Sequence, residues 1–295
     1  MKTDPAPVFP VKTIAFATDF LVNSRLALDY AVGFAHRYKA RLQMMHVFHA
    51  SQAANEAELL YDGPSMSRRS REMRLEAFAA GVRRAGVEVE WELLEGWMPD
   101  TLLARIQEKI PDLLVLGTHG IYHGLGHLLI GSNAEAVLLS SPCPTLTVGR
   151  HVLGGVGLQL DFERILYITD FTPEAAVAAP YAVALREEFG AHLDVCHLIS
   201  EAIGESPKLR NQVAQEYCEA MKRILPSAEE AWCTPAYQLE QGAPAEDILR
   251  RARADAAGLI VLGVKAASFL ERHLHSSFAY ELVATAVCPI LTIRG

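Results

Sequence analysis

Asp112-Leu113-Leu114-Val115-Leu116-Gly117-Thr118-His119-Gly120, ten further residues, then Gly131-Ser132-Asn133-Ala134-Glu135: the reading of this stretch decides the fold. Four consecutive apolar residues run straight into a glycine. An apolar run of that length suits a strand covered on both faces, as in a parallel sheet. Gly117 and Gly120 permit a sharp bend and a close approach of backbone to a ligand. Ser132 reads as a helix N-cap, and Glu135 three residues on completes the spacing of a capping box. Strand, glycine turn, loop and helix start are the parts of an anion site, because unpaired N–H groups and the helix dipole converge there. A structural turn followed by an ordinary capped helix has the same pattern, and glycine spacing alone does not separate the two.

Upstream of this stretch, strands alternate with helices. Ile14 to Thr18 is an apolar strand ending at Asp19. Ser24 to Lys39 has helical periodicity, with Leu28, Val32, Phe34 and Ala35 on one side. Arg41 to Phe48 is a second strand. Residues 51–64 form a polar loop long enough to flank a site. A helix from about Ser65 to Gly86 stops at glycine, Val87 to Leu94 is a third strand, and Pro99 to Ile110 is a helix ended by Pro111. Beyond Ser132, Pro142-Cys143-Pro144 leads into a strand over Thr145 to Val148. This alternation predicts a doubly wound parallel sheet with right-handed crossovers.

The second half repeats the first. Ile165-Leu166-Tyr167-Ile168-Thr169-Asp170-Phe171 echoes Ile14 to Phe20, and His197-Leu198 stands where His46-Val47 does. Leu259 to Gly263 matches Leu113 to Gly117, and Cys288 to Ile293 matches Cys143 to Val148. The offset is 146 at Gly263 and 145 at the last Cys-Pro, so the first copy carries one extra residue in its glycine loop. The expected architecture is therefore α/β: two doubly wound, Rossmann-like domains related by internal duplication. Each is expected to be a mainly parallel five-stranded sheet with helices on both faces, over residues 1–150 and 163–295 with a glycine-bearing linker at 151–162.

Composition sets the bounds. The chain has 295 residues, 51% of them hydrophobic, which suits two packed cores. A net charge of −8 argues against a nucleic-acid partner, although backbone amides can still hold a nucleotide. The N-terminus lacks the apolar segment of a secretory leader, and no run approaches the ~20 apolar residues of a membrane span. Five cysteines, none in a Cys-x-x-Cys pair, read as buried or idle thiols. A cytoplasmic protein without a membrane partner is expected.

The motif resembles that of the universal stress protein family, whose ATP-binding members carry Gly-x2-Gly, nine residues, then Gly-Ser or Gly-Thr. Gly117-Thr118-His119-Gly120 and Gly131-Ser132 look like it, with ten residues between instead of nine, which is expected to bulge the loop. The resemblance implies an ATP site, with or without Mg²⁺, in the first half. Asp19 would contact the ribose or base, and Ala17 and Thr18 would line the adenine. Ala17 stands where some members have proline. Val47 would meet the adenine through its backbone, and Gly117, Gly120, Gly131, Ser132 and Asn133 would contact phosphate. Asp19 also stands where an aspartate would cap the following helix, and the two roles are compatible. Single-domain members pair through their last strands, so an intramolecular pseudo-dimer is expected here. A homodimer of the whole chain is left open.

The second copy departs from the motif. Gly263-Val264-Lys265 is followed by Ala266, Ser276-Ser277 replaces Gly-Ser, and Tyr280 replaces the capping-box glutamate. A Cβ at Ala266 or Ser276 hinders close phosphate approach, so that site reads as degenerate, with a phosphate charge from Lys265 as the alternative. His119, His123 and His127 recur every four residues, but the intervening glycines argue for a loop and against a metal site. Arg68, Arg69, Arg71 and Arg74 form a basic helix face that could meet phosphates but reads as solvated, and Trp91 and Trp97 read as packing at an interface or core rather than serving a ligand. The sequence has no P-loop lysine and no evident arginine finger or carboxylate pair. The resulting expectation is a regulatory ATP-binding protein of stress physiology, at most a slow ATPase. A slow ATPase and a nucleotide-free interaction scaffold remain the alternatives.

Overall fold

The computed structural model describes residues 9–49, 67–118, 132–152, 160–169, 176–197, 244–264 and 278–295, with isolated residues between 206 and 219. In the first half β1 (Thr13–Ala17), α1 (Val22–Tyr38), β2 (Arg41–Phe48), α2 (Arg68–Arg84), β3 (Val89–Glu95), α3 (Asp100–Glu108), β4 (Leu113–Gly117), α4 (Ser132–Ser140) and β5 (Thr145–Val148) follow in order. The second half contributes β6 (Arg164–Thr169), α5 (Ala179–Phe189), β7 (His192–His197), α6 (Pro244–Ala254), β8 (Leu259–Val264), α7 (Phe278–Thr285) and β9 (Ile290–Arg294). The expected loop at 51–64 and the linker glycines 154, 155 and 157 lie outside the described residues.

The nine described strands form one sheet, in the order β3-β2-β1-β4-β5-β9-β8-β6-β7. Within each half every pairing is parallel. Four strands of the second half are described; the counterpart of β3 falls outside the described residues. The central strands β1, β4 and β8 read as continuous apolar runs because both faces are covered, whereas the edge strand β3 alternates and is partly exposed. Ile14 and Phe16 of β1 face one cluster with α1, α2 and α5, while Ala15 faces another with Leu102 and Ile106 of α3 and Val137 of α4. Leu282 and Val283 of α7 and Ile248 of α6 cover that second face in the other half.

The halves meet where β5 pairs antiparallel with β9. Leu146 lies opposite Leu291, its own counterpart at offset 145, so the pseudo-twofold axis of the duplication passes between them. Two equivalent hydrogen bonds flank it: the Thr147 hydroxyl donates to the Ile290 carbonyl and the Thr292 hydroxyl to the Thr145 carbonyl, each at 3.2 Å. Away from the sheet, Arg37 of α1 pairs with Glu188 of α5 at 2.7 Å, and Phe34 packs with Phe162 and Phe189. The pairing is isologous in form, as in a twofold dimer, although one chain makes it. Because β5 and β9 run oppositely, the carboxyl ends of the two parallel halves open on opposite edges of the sheet.

Candidate functional site at the carboxyl end of the first half

The chain winds β1, β2, β3 outward and then crosses back over β1 to β4, so the strand order reverses between β1 and β4. In open α/β sheets ligands bind outside the carboxyl ends of the strands at such a reversal. Register decides what stands there. Ala17, the last residue of β1, pairs with Met45 and Leu116. β2 runs three residues beyond Met45, so Val47 projects past the end of β1 and pairs with Leu94. Gly117 pairs with Val148 on the other side, and the Thr118 amide donates to the Val148 carbonyl at 3.0 Å. Ala17, Thr18, Asp19, Val47 and Gly117 thus gather at the ends of three adjacent strands.

The turn after β1 is held by its own polar groups. The Thr18 amide donates to the Met45 carbonyl at 2.9 Å, prolonging the ladder by one bond. The buried Thr18 hydroxyl accepts from the Phe20 amide at 3.0 Å. Asp19 Oδ1 accepts from the Leu21 amide at 2.8 Å and from the Ser24 hydroxyl in a short contact. The aspartate therefore caps the start of α1. This also explains why the helix begins at Val22, two residues before the first clear apolar period: a captured Leu21 amide removes one of the unsatisfied donors of a helix start. α4 begins at Ser132, with Asn133 exposed and the half-buried Glu135 in its first turn. Burial pushes the Glu135 carboxyl above its ordinary pKa. Gly120 and Gly131, the histidines 119, 123 and 127, and the second copy's Asp170, Lys265, Ala266 and Ser276 lie outside the described residues.

Two residues next to the site carry signals that sequence reasoning passed over. Phe20 has φ of 66°, a left-handed conformation unusual for an aromatic residue and the kind of strain that collects at functional turns. Its ring lies against His46, centroids 4.3 Å apart. His46 is buried, and its Nδ1 lies 2.8 Å from the Thr18 carbonyl. A carbonyl can only accept, so Nδ1 carries the proton. His46 thereby ties the end of β1 to β2.

The basic face of α2 is not simply solvated. Arg71 is buried with its guanidinium 5.0 Å from the Phe48 ring centroid, and Arg74 lies 5.7 Å from that of Phe20. These are cation–π distances, which the apolar pattern of α2 alone could not reveal. Trp91 packs against the core and donates to Glu76 at 2.7 Å, as a packing residue should. Trp97 does not: it is 63% exposed and stacked on His49 at 3.7 Å. The thiols of Cys143, Cys196 and Cys288 are buried and reduced, whereas Cys218 and Cys233 lie outside the described residues. Among the described residues no cluster of metal-binding side chains occurs, and no helix is long and apolar enough to cross a membrane.

Comparison with known proteins agrees with this geometry. The universal stress protein family matches residues 10–149 and 161–294, the two copies. A universal stress protein of Methanocaldococcus jannaschii is 27% identical over 140 residues, covering 45% of this chain and 82% of its own length, so it corresponds to one copy. The crystal structure of a universal stress protein from Archaeoglobus fulgidus superposes over 97% of both chains with a TM-score of 0.72 at 20% identity, sharing the tandem fold. A universal stress protein solved in complex with cAMP covers 47% of this chain and 97% of its own, at 24% identity and a TM-score of 0.38. With both copies matched across nearly the whole sequence, this chain belongs to the universal stress protein family.

Proposed function

We propose that this chain is a regulatory ATP-binding protein of stress physiology, with the nucleotide held by the first half. The observation that carries this reading is the convergence of Ala17, Thr18, Asp19, Val47 and Gly117 at the reversal of strand order. The adenine lies between Ala17, Thr18 and the Val47 backbone, and Asp19 meets the ribose or base. Gly117, Gly120, Gly131, Ser132 and Asn133 present amides to the phosphates at the start of α4, where the helix dipole favours negative charge. Mg²⁺, where present, neutralises phosphate charge. The first-copy motif keeps Gly117, Gly120 and Gly131, whereas the second keeps Gly263 but has Ala266 and Ser276 for the other two, and each added Cβ would obstruct backbone approach.

Regulation fits better than turnover. Phosphoryl transfer is accelerated by positioned charge around the phosphates, and the first-copy motif carries no P-loop lysine. Nucleotide occupancy is then the signal, read by a partner. Mass spectrometry of small molecules co-purifying with the full chain tests the reading. Adenine nucleotide released on denaturation supports it, whereas a nucleotide-free protein that takes up no added ATP favours an interaction scaffold.

A further inference from the structure

A second cleft lies at the opposite, amino end of the same sheet. The starts of β1, β2 and β3 and the turn from α3 to β4 enclose a cavity of about 240 Å³. That is smaller than the ~300–1,000 Å³ of sites for drug-sized ligands, so its occupant is small. Thr13, Gln43 and the buried Ile14 and Leu42 line it. Four charged side chains of both signs line it: Arg41 and Lys109, and Glu88 and Glu90. No ion pair joins any of the four among the described residues. Elsewhere in this half arginines find carboxylates, as Arg105 does with Glu92 at 2.7 Å and Arg83 with Glu76 at 2.6 Å. Ile110, 63% exposed, and Pro111 add an apolar wall.

The duplication supplies an internal control. Thr13, Arg41 and Gln43 correspond to Arg164, His192 and Asp194, which occupy the same register at the start of β6 and β7. There Arg164 pairs with Asp194 at 2.8 Å, and His192 Nδ1 lies 3.3 Å from the same carboxylate. Lys109 corresponds to Asp255, which pairs with Arg251. Among the described residues, the second copy pairs its charges in the place where the first keeps two cations lining a cleft.

We propose that this cleft binds a free aliphatic α-amino acid. Arg41 and Lys109 hold the α-carboxylate, Glu88 and Glu90 the α-ammonium, and Ile110 and Pro111 cover the side chain. Two cations and two anions around one small cavity complement a zwitterion better than a ligand of either single charge. The four groups are exposed, so each contact is weak and a Kd of about 1 mM is expected. The site is separate from the nucleotide crevice and does not depend on it.

The test is an NMR titration of the full ¹⁵N-labelled chain with L-leucine, with its decarboxylated amine (isoamylamine) and with its deaminated acid (4-methylpentanoate), each to about 20 mM. L-leucine should shift the amides of Thr13, Gln43 and Glu90, and the amine and the acid should each bind at least about fivefold more weakly. Arg41→Met with Lys109→Met, and separately Glu88→Gln with Glu90→Gln, should abolish the shifts. All four changes are at the surface, so each variant's unperturbed spectrum verifies its fold. Absence of shifts with L-leucine overturns the proposal. So does equal binding of the acid, which would mark a plain anion site, or unchanged binding by either double variant.

Discussion

Asp19 has one job visible in the fold and a second in the proposed nucleotide site, and a pair of substitutions separates them. Its Oδ1 accepts from the Leu21 amide and the Ser24 hydroxyl, so it caps α1 whether or not a ligand is present. Asp19→Ala removes both bonds. Loss of a cap costs about 1–2 kcal/mol, which lowers the Tm of a unit this size by roughly 2–8 °C. Asp19→Asn keeps an oxygen in the Oδ1 position, so stability should stay within about 0.5 kcal/mol of the parent. The proposed nucleotide contact should respond differently. Asn replaces a charged acceptor with an amide whose second group donates, and a hydrogen bond to a charged group is worth about 1.5–3 kcal/mol. ATP affinity should therefore fall roughly ten- to hundredfold in Asp19→Asn while the protein melts normally. Thermal denaturation and calorimetric titration of the same samples read the two quantities. If Asp19→Asn binds ATP like the parent, and Asp19→Ala loses affinity only in proportion to its stability, the aspartate is a cap and nothing more.

Three further outcomes follow from the fold. Leu146→Ala and Leu291→Ala, at buried positions facing each other across the pseudo-twofold axis, should each cost about 2–5 kcal/mol. Their double mutant should deviate from additivity by at least about 0.5 kcal/mol in denaturant unfolding; strict additivity would mean that the halves do not share this core. Burial pushes the Cys143 and Cys196 thiols to about 11, and the Cys288 thiol and Tyr30 phenol to about 12. Unfolded thiols and phenols ionise near ~8.5 and ~10, so above about pH 9 the unfolded chain has released protons the folded chain retains. Stability should be full below about pH 8.5 and decline towards pH 11, and a flat denaturation midpoint across that range would contradict the burial of these groups. With Mg²⁺ and saturating ATP, turnover should stay well below ~1 s⁻¹; a rate in the ordinary enzyme range, abolished by Asp19→Asn, would make the protein an ATPase.

What the sequence revealed and what it hid divide along one physical line. Periodicity and glycine placement are local, so β2 over Arg41–Phe48 and β5 over Thr145–Val148 fall where the apolar runs predict. The register that sets Leu146 opposite Leu291 is not local, and the offset of 145 does not fix it. Side-chain destinations are not local. Arg71 reads as one of several surface cations until Phe48 is seen beneath it, and nothing in the sequence places Trp97 outside the core and on His49. The amino-end cleft draws on Arg41, Glu88 and Lys109, too far apart in sequence for any motif to join them. Asp19 was legible as both cap and ligand, because a carboxylate after a strand and before a helix is suited to either. Its cap is visible in the fold, whereas its ligand role awaits the paired substitutions.

The central claim is that ATP binding is asymmetric, one nucleotide per chain and in the first half. Calorimetric titration of the intact chain with ATP tests it most directly, in the parent, in Gly131→Val and in Ser276→Val. In the proposed site, valine at 131 would put a branched side chain where phosphates should approach, while valine at 276 would alter a position that already carries a Cβ. The account predicts a stoichiometry near one in the parent and in Ser276→Val, with binding abolished or sharply weakened in Gly131→Val. A stoichiometry near two, or binding that survives Gly131→Val and is lost in Ser276→Val, would contradict it.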